Sequence, residues 1–175
     1  MKPISRFSRW STTVSLGLLV ALTGCHHVDP LVFNQKIDDD NKKLNAAGVK
    51  MGVALRGALE NQPGGVEKFK TEYTGLQQTV TEVKKEVATM EVPDDASSKA
   101  LYAAYQKFLS SQESMVANEF SNIMKCVDNK SLSAMDKANT IRPIVLSLQQ
   151  REETDLSTLK AAQREFATEH HITLK

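Results

Sequence analysis

The side chains best suited to metal chemistry are four histidines, which lie near the two ends of the chain. They are His26, His27, His170 and His171. Neutral imidazoles bind Zn²⁺, Cu²⁺ or Ni²⁺, and a fold that returns the chain to its starting point would bring the two pairs together. Adjacent histidines on a helix point in different directions. The pattern therefore favours solvated ends of the chain, with a metal site as the alternative.

Two polar residues, Gln112 and Glu152, interrupt otherwise apolar helical stripes. Folding the last two predicted helices together about residue 130 brings them within about one helical turn of each other. The same register places Glu119 near Arg142. Polar residues in a helical seam commonly fix the register of packing, and we favour that interpretation. The alternative is a polar layer that lines a ligand cavity.

The remaining reactive groups form no catalytic set that the sequence can identify. A nucleophile needs a base beside it, and every histidine lies near an end of the chain. A di-metal oxidase built on a helical bundle needs Glu-x-x-His on two helices, and that spacing does not occur. Glycine-rich phosphate loops and CxxC pairs do not occur either. We therefore predict a protein that is not an enzyme and holds no cofactor.

Several other residues favour packing roles. Cys126 lies in an apolar segment and is expected to be buried, with an intermolecular disulfide as the alternative. Gly48 and Gly52 are interpreted as permitting the close approach of two helices. The methionines that fall on apolar helical stripes are assigned to the core, and they are Met51, Met90, Met115 and Met135.

The first 25 residues have the form of an export signal. Lys2, Arg6 and Arg9 precede a short apolar run, and the segment contains no acidic residue. The run is too short to span a bilayer, which needs about 20 apolar residues. It ends in Leu22-Thr23-Gly24-Cys25, which resembles the lipobox of bacterial lipoproteins. The alternative is an ordinary cleaved signal in which Cys25 is incidental.

The resemblance implies a processing route and a location. In that family the cysteine is lipidated on sulfur, residues 1–24 are removed and the new N-terminus is acylated. Two or more acyl chains anchor a protein stably to a bilayer. In lipoproteins of the enterobacterial type, Asp after the cysteine favours the inner membrane, whereas His26 follows Cys25 here. We therefore expect a lipid-anchored protein of the cell envelope, in the outer membrane rather than the inner, facing the periplasm or the cell surface.

The charge balance excludes binding to nucleic acid by bulk charge. The chain has 22 basic and 21 acidic residues, and three of the basic residues lie within residues 1–24. The remaining chain is mildly acidic, and such a body attracts neither nucleic acid nor anionic lipid. We therefore expect the acyl chains on Cys25 to supply the attachment to the bilayer.

The rest of the chain has the periodicity of long helices. Between Val66 and Met90 the apolar residues are spaced alternately three and four apart without interruption, which is a heptad pattern. Helix-breaking residues lie before this stripe at 61–65 and after it at 92–95 and 128–131. Pro143 is expected to kink or divide the last helix.

The predicted fold is all-α, an up-down-up-down four-helix bundle over residues 33–175, preceded by a lipidated tether over residues 25–32. Its rival is a helical hairpin that completes its core by dimerising, since two apolar residues per heptad also form a coiled-coil seam. The predicted function is a non-catalytic interaction or structural module, whose partner is an envelope protein or a second copy. The alternative is a bundle that binds a small molecule or a metal.

Overall fold

The computed structural model describes residues 28–173. The predicted signal, the lipidation site Cys25 and the histidines His26 and His27 lie outside these residues. The described part is helical, with no strand among residues 28–173, and the all-α prediction is confirmed. The helices are α1 (Pro30–Leu59), α2 (Gly65–Ala88), α3 (Ala96–Met115), α4 (Ser121–Asp128) and α5 (Ala134–Glu169), with a π-helical turn, Val116–Phe120, between α3 and α4.

The helix ends follow from short-range chemistry. Asp29 caps α1 by accepting a hydrogen bond from the backbone N–H of Leu31 at 2.8 Å, and Pro30 occupies the first helical position. Helix α1 therefore begins inside the segment predicted as a tether, three residues before Phe33. At the start of α5, Ser133 caps the helix, because its hydroxyl accepts a hydrogen bond from the backbone N–H of Asp136 at 3.2 Å.

The heptad stripe of α2 is the centre of the core. Its residues from Phe69 onward are buried, except the half-buried Tyr73. The chain turns back from α1 to α2 at Gly64 and Gly65. Gly64 adopts a left-handed φ of 70°, and a Cβ on Gly65 would lie 2.7 Å from the Gly57 carbonyl oxygen. Only glycine fits this close approach, so the turn fixes how the first two helices meet.

Hydrogen bonds and ion pairs join each helix to the next. Lys43 on α1 binds Glu86 on α2 at 2.7 Å. The Tyr102 hydroxyl on α3 donates to the Val87 carbonyl on α2 at 2.9 Å. Helix α5 returns to α1, where the rings of Phe33 and Phe166 meet edge to face at 5.7 Å between centroids.

Two positions of α5 were predicted from the sequence to be distinctive. Of the two effects predicted for Pro143, division of the helix does not occur, because the carbonyl of Asn139 that it leaves unpaired lies on an exposed side where water can bind it. Met135, assigned to the core, is 69% exposed. It precedes the buried Ile141 by six residues, which places it about 120° away around the helix from the packed face.

A membrane-spanning helix is not found in residues 28–173, because none of the described helices is both long and apolar enough.

Candidate functional site

Gln112 and Glu152 lie on the wall of one surface groove. The groove has a volume of about 470 Å³ and is lined by residues of α1 on one side and α5 on the other, with α2 and α3 contributing the residues between. We call it the α1–α5 groove. Its lining is largely apolar, with Leu44, Met51, Leu76, Phe108, Met115 and Leu148 among the buried residues. The two residues therefore line the same groove, although Glu152 is exposed and does not form the predicted polar layer inside the bundle.

The amide of Gln112 is unpaired. Its Nε2 atom is buried and has no hydrogen-bond partner in the part of the chain that the structure describes. A buried donor without an acceptor costs about 1–3 kcal/mol. Glu152 lies on the same groove with an exposed side chain. Gln112 therefore adds a hydrogen-bonding side chain to a largely apolar wall.

A π-helical turn shapes this groove. The turn Val116–Phe120 is wider than an α-helical turn, and Met115 and Phe120 at its two ends both line the groove. The Tyr73 hydroxyl donates to the Val116 carbonyl at 3.2 Å, and this hydrogen bond from α2 stabilises the turn. Single π turns inside α-helices are rare and are often found at functional sites. The heptad pattern carries no signal for this turn.

The two glycines of α1 do not bring helices together. A Cβ at Gly48 or at Gly52 would meet nothing within 4 Å in the described chain, so the predicted close approach is wrong. The reason is that the two glycines lie on a side of α1 that contacts no neighbouring helix, whereas Met51 between them is buried in the core. Gly48 lines the α1–α5 groove, whereas Gly52 does not.

The predicted pairing of Glu119 is also wrong. Glu119 binds Arg151 at 3.3 Å, and not Arg142. The loop before α5 runs to the cap at Ser133, and the π turn that contains Glu119 adds residues to its own side. Both features move the partners along α5, so a register counted from one central residue fails here.

Two of the four histidines, His170 and His171, lie within the described residues, and they have different surroundings. His170 ends α5, and its ring packs on Phe166 at 4.5 Å between centroids. His171 adopts a left-handed φ of 53° in the turn that closes the helix and is exposed. Within residues 28–173, no group of three or more His, Cys, Asp or Glu side chains is arranged to hold a metal ion.

His170 belongs to a polar cluster that the sequence analysis missed. Its Nε2 atom lies 3.4 Å from Asp95 Oδ1, 3.4 Å from Ser97 Oγ and 3.5 Å from Ser98 Oγ. A Ser-His-Asp relay needs the carboxylate and the hydroxyl on opposite ring nitrogens, whereas here all three contacts fall on one. The cluster therefore has a structural role. One part of it could have been found in the sequence, because Asp95 with Ser98 three residues later is a helix-capping pattern.

Hydrogen bonds dominate the electrostatics of Asp95. Burial alone would raise the pKa of its carboxyl, but Ser98 donates to it from both its hydroxyl and its backbone N–H at 2.7 Å, and Ser97 donates at 2.8 Å. Together these bonds hold the pKa of Asp95 well below its usual range. The ionised carboxylate therefore stabilises the start of α3.

Replacing Asp95 by alanine should lower the free energy of unfolding at pH 7 by about 2 kcal/mol, through loss of the cap and of the partner of the buried Ser98 hydroxyl. Because the folded pKa is depressed, this stabilisation is complete above about pH 4 and is lost as the pH falls through the folded value. Urea unfolding of both proteins between pH 7 and pH 2 measures it. The control is Asp94→Ala at the exposed neighbour, which should change much less. An Asp95→Ala difference that is independent of pH would contradict this assignment.

A second charged cluster joins α1 to α2. Asp40 is almost fully buried, and burial raises the pKa of its carboxyl. Lys43 lies 3.0 Å from Asp40 and 2.7 Å from Glu86, and these hydrogen bonds raise the pKa of the lysine. Lys43 is the opposite charge for both carboxylates, and a shared ion pair of this kind is typical of a structural contact between helices.

Cys126 is buried, as predicted, and its sulfur lies 3.9 Å from the Lys137 carbonyl oxygen.

Comparison of the chain with protein-family models, with curated proteins and with solved structures finds no match.

Proposed function

We propose that this protein is a bacterial envelope lipoprotein, held to a membrane by acyl chains on Cys25, with a helical body that acts as a non-catalytic interaction or structural module. The observation that carries the proposal is the distance along the chain between the lipobox-like motif and the body. Helix α1 begins at Pro30, five residues after Cys25. Five residues reach about 17 Å at most, so an acylated Cys25 keeps the body against the lipid surface.

We propose further that the four long helical segments form an up-down-up-down antiparallel bundle, with α3, the π turn and α4 as its third member. The contacts between neighbours support this arrangement. In the third member, Tyr102 meets Val87 of α2, whereas residue Val116, further along, meets Tyr73, earlier in α2. As the residue number rises along the third member, the number of its contact residue on α2 falls, and this is the pattern of two antiparallel helices.

The end of the body next to Cys25 has side chains suited to lipid. Phe33 at the start of α1 meets Phe166 at the end of α5, so both ends of the body lie together near the anchor. Leu31 and Val32 in the first turn of α1 are each 57% exposed. Apolar side chains beside an acyl anchor add buried area at the lipid surface. The partner in the envelope is proposed to be another protein or a second copy of this chain.

A wash of isolated membranes tests the anchor. We expect the protein to stay with the membranes in high salt and in alkali and to leave them only in detergent, because the mildly acidic body does not bind lipid by charge. Density-gradient separation should then place it with the outer membrane. Release of the protein by salt alone, or its recovery in the soluble fraction of unwashed cells, would contradict the proposal.

A further inference from the structure

We propose that the α1–α5 groove binds a neutral single-chain amphiphile, whose chain lies on the apolar wall and whose polar head accepts a hydrogen bond from Gln112. This inference does not depend on the lipid anchor. The groove has a volume of about 470 Å³. That volume lies within the range of small-molecule sites, about 300–1,000 Å³.

The groove has the features of a formed site. Gln112, whose buried amide nitrogen has no hydrogen-bond partner in the described chain, belongs to its lining. The π turn places Phe120 on the groove, and Gly48 adds no side chain at its own position on the α1 side. The amide is a donor for an acceptor on the occupant, and the π turn and the glycine leave space for its chain.

The shape of the lining favours a chain. Apolar lining residues extend along α1 from Leu44 to Met51 and along α5 from Leu148 to Leu156. At 1.5 Å per residue, each stretch is about 10–12 Å long. A linear alkyl chain lying parallel to the helices would cover both stretches.

The charges on the groove favour a neutral head. Among the described residues that line it, Glu152 is the one charged side chain. Arg151 is already engaged, because its guanidinium donates to Ser111 Oγ at 3.0 Å and to Glu119 at 3.3 Å. A carboxylate or phosphate head would therefore meet a negative charge without a counter-charge. A hydroxyl head can accept from Gln112 and also donate to Glu152.

Methionine methyl NMR provides a site-resolved test. The core residues run from Phe33 to Phe166, so the chain from His26 onward contains the whole core, and cooperative urea unfolding checks its fold first. If it does not unfold cooperatively, the acylated protein in lipid nanodiscs replaces it. The probe is decanoylglycerol below its micelle concentration. We expect saturable shifts of Met51 and Met115, which line the groove, and none of Met90, Met124 or Met135, which do not.

A matched pair of glycine variants tests the location. Gly48→Leu and Gly52→Leu both replace a helical glycine whose Cβ would face open space, and both raise helix propensity. Only residue 48 lines the groove. We expect Gly48→Leu to weaken decanoylglycerol binding at least about tenfold, because the leucine side chain occupies the groove and the alkyl chain of the ligand loses its contact with the apolar wall. We expect Gly52→Leu to leave the binding unchanged.

The head group is tested with three ligands of the same chain length. We expect decanoylglycerol to bind about tenfold more tightly than decanoate, and Glu152→Gln to remove most of that preference, because Glu152 supplies the negative charge that disfavours an anionic head. Gln112→Leu should weaken the binding of decanoylglycerol about tenfold, since one hydrogen bond to a buried donor has about this effect. Equal shifts at all five methionines, or equal binding by the two glycine variants, would overturn the site. Tighter binding of decanoate or of decylammonium would overturn the neutral head.

Discussion

Replacing Cys25 by serine should abolish the incorporation of labelled palmitate and leave residues 1–24 attached, so that the protein migrates as a larger species. The sulfur of cysteine is the nucleophile that accepts the lipid in the family that the motif resembles, and a serine hydroxyl is a far weaker one at neutral pH. Because the acyl chains are the proposed anchor, the expected loss of label is complete. Labelling of growing cells followed by gel separation measures it.

Cys126→Ser is the matched control for this experiment. It removes the other cysteine of the chain, which is buried in the helical body, and it should leave both the label and the size of the mature protein unchanged. Persistence of the label in the Cys25→Ser protein would show that another residue carries the lipid. Loss of the label in the Cys126→Ser protein alone would contradict the assignment in the same way.

Replacing Phe166 by alanine should lower the free energy of unfolding by about 3–5 kcal/mol, the usual cost of removing a fully buried phenylalanine. Phe166 is completely buried and lies where the end of α5 meets the start of α1. Leu146→Ala, at an exposed position of the same helix, is the control and should change the free energy of unfolding little. Urea unfolding followed by circular dichroism gives both values.

The double variant with Phe33→Ala extends this prediction to the proposed bundle. If α1 and α5 pack in one molecule, the two substitutions should be non-additive by about 0.5–1.5 kcal/mol, as edge-to-face ring pairs are. In the alternative fold, a helical hairpin that completes its core by dimerising, the two rings do not meet within one molecule. Additive effects, or a stability that rises with protein concentration, would favour the hairpin over the four-helix bundle.

The fold class was predictable because the signal is local and repeated. The stripe from Val66 to Met90 indicates the buried face of α2, and the breaks at 61–65, 92–95 and 128–131 indicate where the helices end. The pairing of Glu119 was not predictable, because it depends on a π turn and on the length of the loop before Ser133. The exposure of Met135 shows the same limit, since a residue within a helical turn of a stripe can still lie off its packed face.

The candidate site was predictable only in part. Gln112 and Glu152 could be identified from the sequence because each is a polar residue on an apolar helical stripe. Both line the α1–α5 groove. The groove itself depends on how far apart α1 and α5 lie, which no single helix encodes. The contact of His170 with Asp95 joins residues far apart in the sequence. Its geometry therefore required the packed structure.

The mass of the N-terminal peptide, measured on protein extracted from membranes, tests the central claim most directly. We expect the peptide to begin at Cys25 and to carry acyl chains on its sulfur and on its new amino group. An N-terminal peptide that begins at another residue, or one that contains Cys25 with an unmodified thiol, would contradict the proposed anchor.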